Sequence, residues 1–195
     1  PFPQPVDTGY GVLQWVHRHR TKLGGQGALV YLAGEEAGGN LAAAVALMAR
    51  DQAHPPLAGQ ILLSPMLDPC VGSASQRRTT GDAVDCKWVQ GWRNFLRCPR
   101  DAEHPYAVPA SAHRLAGLPP TLVLVGDTDP MRDEALAYAA RLHAAGLQVT
   151  QHVFAKAEKW PEPLLETGPH ECPCAGAVQE EFRRFFEATR CRESS

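Results

Sequence analysis

No run of apolar residues in this chain approaches the ~20 needed to cross a bilayer. The longest, Leu41 to Met48, is alanine-rich and ends at Arg50-Asp51. Excess charge is also lacking. A formal net charge of −2 over 195 residues gives no electrostatic case for a nucleic-acid or anionic-membrane partner. Internal repeats, low-complexity tracts and a signal peptide are missing from the expected features. The cytoplasm is therefore the expected location, with secretion left open by six cysteines. None of those cysteines forms a C-x-x-C pair. Cys172-Pro173-Cys174 is a C-x-C, which suits neither a redox motif nor a zinc site. Free thiols are the first reading, disulfides the second and a metal site with distant partners the third. An initiator methionine is lacking too, so Pro1-Phe2-Pro3 reads as the start of a fragment or a processed product.

What is present is an ordinary globular composition, 44% hydrophobic and 21% charged. Short apolar runs alternate with segments of helical spacing. Val6 to Leu23 carries an amphipathic pattern and stops at Gly24-Gly25. Ala28 to Leu32, Gly59 to Pro65, Thr121 to Gly126 and Gln148 to Phe154 read as strands. The first is apolar without alternation, as a strand covered on both faces should be. Helices are expected over Asn40 to Gln52, Asp133 to Ala145 and Ala177 to Thr189. Residues 66–116 read as an irregular excursion holding one helix, Val84 to Leu96. Its Trp88, Trp92 and Phe95 share a face that is either core or a binding patch. Strand–helix alternation predicts an α/β fold with a mostly parallel sheet, formed as a single domain over residues 1–195.

The densest chemical signal is Gly34-Glu35-Glu36-Ala37-Gly38-Gly39-Asn40, set between an apolar run and a helix. Strand, Gly-x-Xaa-x-Gly, helix is the layout of a nucleophile elbow, where flanking glycines let one side chain stand on a strained turn. Here that residue is Glu36. Amides at the helix start, beginning with Ala37, would stabilise an oxyanion. The alternative is a glycine-rich turn whose solvated carboxylate caps the helix. A second cluster, Gly126-Asp127-Thr128-Asp129, follows a buried strand. Carboxyl ends of strands collect functional groups in open α/β sheets, which makes Asp129 a candidate to orient a base. The same aspartates also suit helix capping. Of eight histidines, His170 alone lies in the late loop where a third triad member belongs.

Four stretches together resemble the hormone-sensitive-lipase-like group of α/β-hydrolases. They are Asp7 to Trp15, Gly34 to Ala46, Ala58 to Pro69, and His104-Pro105-Tyr106-Ala107 followed by Leu115 to Gly146. The resemblance implies a three-layer α/β-hydrolase fold whose amino-terminal strands, lid and His-Gly-Gly-Gly oxyanion loop would lie upstream. It places Asp129 at the triad aspartate and Glu36 where the family carries serine. Counted without gaps from Phe154, the family histidine falls at Lys159 or Trp160, and His170 serves only if the loop is rearranged. It also implies a carboxylesterase-like or lipase-like protein with no cofactor or metal and an ester-like small molecule as ligand. Three functions follow: a hydrolase scaffold inactive because Glu36 replaces serine, a hydrolase using Glu36 as nucleophile or base, and a non-catalytic binding module. An uncovered sheet edge would favour self-association.

Overall fold

The computed structural model describes residues 1–69, 73–80, 87–156, 160 and 174–190. Four parallel strands form one sheet: β1 (Tyr31–Glu35), β2 (Gly59–Leu63), β3 (Thr121–Gly126) and β4 (Val149–Phe154), in that spatial order. Parallel neighbours need long crossovers. The first holds α2 (Ala37–Asp51) and the third α5 (Arg132–Ala144). The second carries α3 (Ala74–Thr80), α4 (Lys87–Phe95) and two short 3-10 turns.

Side chains alternate across the sheet and divide the core. Leu62 and Val123 face α2 and α5, packing with Leu47, Tyr138 and Ala139. Ile61, Leu122, Leu124 and Phe154 face the other way, onto Phe185 of α6 (Ala175–Arg190). Helix α1 (Gln4–Gly24) lies over α2, with Val6 and Leu13 in a cluster that includes Val45 and Ala49. The result is the expected three-layer α/β-hydrolase arrangement over a parallel sheet. No helix among the described residues is long and apolar enough to cross a membrane.

Some boundaries differ from the sequence expectation. Strand β1 begins at Tyr31 rather than Ala28, because pairing with Gly59 to Leu63 fixes its register. It is half-buried at Tyr31, Leu32 and Gly34 and exposed at Ala33 and Glu35, with β2 its one partner among the described residues. Both faces carry cover: Tyr31 packs toward Phe185 and Phe186 of α6, and Leu32 packs against the clusters built on α1 and α2. Helix α2 starts at Ala37, not Asn40, so the glycines after Glu36 lie inside its first turn. Helix α3 has no hydrophobic periodicity and was not expected. It is docked by hydrogen bonds to the loop before α5 and to that helix's first turn: the Ser75 hydroxyl donates to the Pro130 carbonyl, and the Ser75 amide to the Asp133 carboxylate. Of the cysteines, Cys98 is free and exposed, while Cys174 is disulfide-bonded. The free-thiol reading therefore fails at Cys174.

Candidate functional site

The turn from β1 into α2 has the strained backbone of an elbow. Glu36 sits at its apex with φ 46° and ψ −115°. Such a conformation costs a non-glycine residue on the order of 1–3 kcal/mol and persists only where its surroundings over-determine it. They do so here. The Glu36 amide donates to the Leu63 carbonyl at 3.0 Å, and the Glu36 carbonyl accepts from Asn40 and Met66 at 3.1 and 3.0 Å. The flanking glycine is required by the crossing of strand and helix. A Cβ on Gly34 would lie 2.0 Å from the Gly38 carbonyl oxygen. Gly38, in contrast, has open space where a Cβ would stand.

Glu36 does not cap α2, because its side chain makes no capping hydrogen bond. Its Oε1 instead lies 3.5 Å from the Lys87 Nζ, on α4. The helix-cap alternative is thereby set aside. The first amides of α2, from Ala37 onward, have no acceptor within the helix. They are the groups the sequence pointed to for holding an oxyanion.

Asp129 lies in the turn between β3 and α5 and is 2% exposed. Both its oxygens are engaged. Oδ1 accepts from the Met131 amide at 2.8 Å, a local turn contact, while the N-cap of α5 is Met131 and carries no side-chain capping hydrogen bond. Oδ2 accepts from the Ser64 hydroxyl at 2.5 Å and from the Trp160 indole N–H at 2.9 Å. Trp160 is fixed by stacking on Phe154, with centroids 4.8 Å apart, and by lying against Gly126. A Cβ on Gly126 would meet the indole ring at 2.5 Å, so glycine there leaves the ring its space.

The end of β2 joins the two halves of the site. Leu63 accepts from the Glu36 amide, and its neighbour Ser64 donates to Asp129. Glu35 registers both carboxylates. Burial raises its pKa first, then the charges of Glu36 and Asp129, with Lys87 opposing. The structure thus brings Glu36 and Asp129 to the carboxyl end of the sheet, after β1 and β3. It places Gly34, Ala37 and Gly38 as the elbow's frame. His170 and Lys159 lie outside the described residues. Trp160, Ser64 and Lys87 complete the site without having been chosen as site residues. The signal for Trp160 was the ungapped count from Phe154.

In a hydrolytic triad, a carboxylate orients a histidine whose second nitrogen takes the nucleophile's proton. Indole offers one N–H donor and no basic nitrogen. The Asp129–Trp160 pair therefore reproduces the carboxylate-to-ring hydrogen bond without a proton acceptor.

A cavity of about 450 Å³ opens beside the elbow. Glu36, Met66, Lys87, Trp88, Trp92 and Phe95 form much of its wall. Trp88 and Trp92 are at once buried core residues and cavity lining, so neither use of the aromatic face excludes the other. Among the described residues, no group of three or more histidine, cysteine, aspartate or glutamate side chains is arranged to hold a metal.

Known proteins agree with this architecture. The chain is 31% identical over 156 residues to an esterase, LipI, of Mycobacterium tuberculosis, covering 78% of this chain and 48% of that protein. It is 35% identical over 159 residues to a gibberellin receptor of Arabidopsis thaliana, covering 76% and 45%. A thermostable esterase structure from Pseudomonas putida superposes with TM-score 0.72 and 34% identity, covering 79% of this chain and 50% of that one. The chain thus spans about half the length of the curated relatives it matches. The alpha/beta hydrolase fold family matches residues 1–158, and with the esterase relatives this shows that the chain belongs to the hormone-sensitive-lipase-like α/β-hydrolase family.

Proposed function

We propose that this chain is a non-hydrolytic member of its family, which keeps the site's frame and uses the adjoining cavity to bind a small molecule. The observation that carries this reading is the hydrogen bond from the Trp160 indole to Asp129. A histidine is the ring that such a carboxylate orients in a working triad. Glu36 at the elbow apex adds to it, because an anionic carboxylate takes the place of an activated hydroxyl. Losing a triad's nucleophile and base costs roughly 10⁶ in rate in the serine-protease case. The receptor among the relatives supports ligand binding as a use for such a scaffold.

The direct test is hydrolysis of a short-chain aryl ester by the unmodified chain and by Glu36→Gln, with circular dichroism to verify folding. Both are expected to match the rate without protein. An esterase rate that falls with Glu36→Gln would overturn the proposal and establish Glu36 as a carboxylate nucleophile or base.

A further inference from the structure

The cavity's chemistry is narrower than that of a general apolar pocket. Among its lining residues the ionisable side chains are Glu36 and Lys87, and the rest of the wall is predominantly apolar and aromatic. Spacings of four and three residues put Trp88, Trp92 and Phe95 on one face of α4. An anionic carboxylate beside indole faces is the arrangement that attracts an organic cation, since the electron-rich face of tryptophan is the best of the aromatic surfaces for cations.

The protein's own side chain samples this environment. The Lys87 ammonium stands 3.5 Å from Glu36 Oε1 and 5.1 Å from the centroid of the Trp88 ring. It is thus an internal ammonium held by a carboxylate and an indole at the cavity's mouth. The ion pair is easily exchanged: the two side chains are 46% and 32% exposed, and solvent-exposed pairs add little to stability. A ligand ammonium that brings an apolar body would gain the same two partners and bury that body in the cavity.

We infer that the cavity takes a hydrophobic ammonium ion, with the charged head at Glu36 and Trp88 in place of the Lys87 ammonium and an aryl or alkyl body against Trp92 and Phe95. This rests on the small-molecule-binding reading above and names its ligand class. It also gives Glu36 a purpose that the serine of a hydrolase would not serve, because a neutral hydroxyl offers a cation no counter-charge.

Calorimetric titration with phenylpropylammonium and with phenylpropanol tests it, since the two probes share a body and differ in the head. The ammonium is expected to bind about tenfold more tightly than the alcohol. Glu36→Gln should cut most of that preference, leaving only what the Trp88 face supplies. Lys87→Met should tighten ammonium binding, because the internal competitor is gone, and its melting temperature shows whether it remains folded. Equal affinity for the two probes, a preference undiminished in Glu36→Gln, or no binding of either would overturn the inference. Neither probe contains an ester, so hydrolysis by the unmodified chain would refute the non-hydrolytic reading and leave this measurement interpretable.

Discussion

The elbow and the acid end of the site are held in place by different means. At the elbow, backbone sterics do the work: Gly34 leaves room for the helix, and three main-chain hydrogen bonds fix the Glu36 turn. The side chain at the apex contributes nothing to that frame, so serine, glutamate or another residue can stand there. At the acid end, side-chain hydrogen bonds do the work. Asp129 is held by a hydroxyl, an amide and an indole, and its partners are part of its stability. Function can therefore be exchanged freely at the elbow, whereas at Asp129 a lost base must be replaced by another donor. On the proposed reading, Trp160 is that donor.

Substitutions should separate the two regimes, beginning with the largest effect. Gly34→Ala forces a methyl group 2.0 Å from a backbone oxygen, and an overlap with backbone cannot relax by rotating a side chain. Urea unfolding should show a loss of about 4 kcal/mol or more, if the variant folds at all. Asp129→Ala should cost about 3 kcal/mol, because it strands several buried donors at once. Trp160→Phe should cost about 1–2 kcal/mol, since it removes one bond to a charged acceptor and keeps a ring against Phe154. If Trp160→Phe matched Asp129→Ala, the carboxylate would depend on the indole alone. Gly38→Ala should be the mildest and of opposite sign. It fills open space inside a helix, and alanine is favoured over glycine there by about 0.5–1 kcal/mol.

The acid end should also respond to pH. Glu134, in the first turn of α5, has its pKa pushed up to about 8, mainly by burial and then by the charges of Asp68 and Asp129. Amide hydrogen bonds from Asp68 and Leu67 oppose the rise. Its folded pKa lies above its unfolded one, so the folded state binds more protons between them. Stability should be full below the unfolded value of 4.5, fall as pH rises toward about 8, and level off above. Urea midpoints across that range should follow this course. Glu134→Gln should flatten it, because the amide can still accept from the Asp68 backbone N–H.

Much of this was legible in the chain. Strand β3 has the expected boundaries, Thr121 to Gly126, because it is fully buried and its apolar run coincides with its ladder. The elbow was legible because its determinants are local: glycines at fixed spacing between a strand and a helix. Strand β1 was misplaced because its ends follow from pairing with β2, and Ala28 to Val30 are as apolar as the strand itself. Helix α3 was hidden because its anchors, Pro130 and Asp133, lie more than fifty residues away in sequence. The role of Trp160 depends on three separated facts: the stack on Phe154, the gap at Gly126 and the buried Asp129 oxygen. Counting from the last strand marks the position, but only the fold joins those contacts.

The central claim is that Trp160 stands where a base would. Fluorophosphonate labelling of Glu36→Ser, Trp160→His and the double variant tests it most directly. The double variant restores a hydroxyl at the apex and an imidazole beside Asp129, and should label about 100-fold faster than Glu36→Ser alone. Trp160→His alone should not label. Equal rates for Glu36→Ser and the double variant, both folded, would contradict the claim.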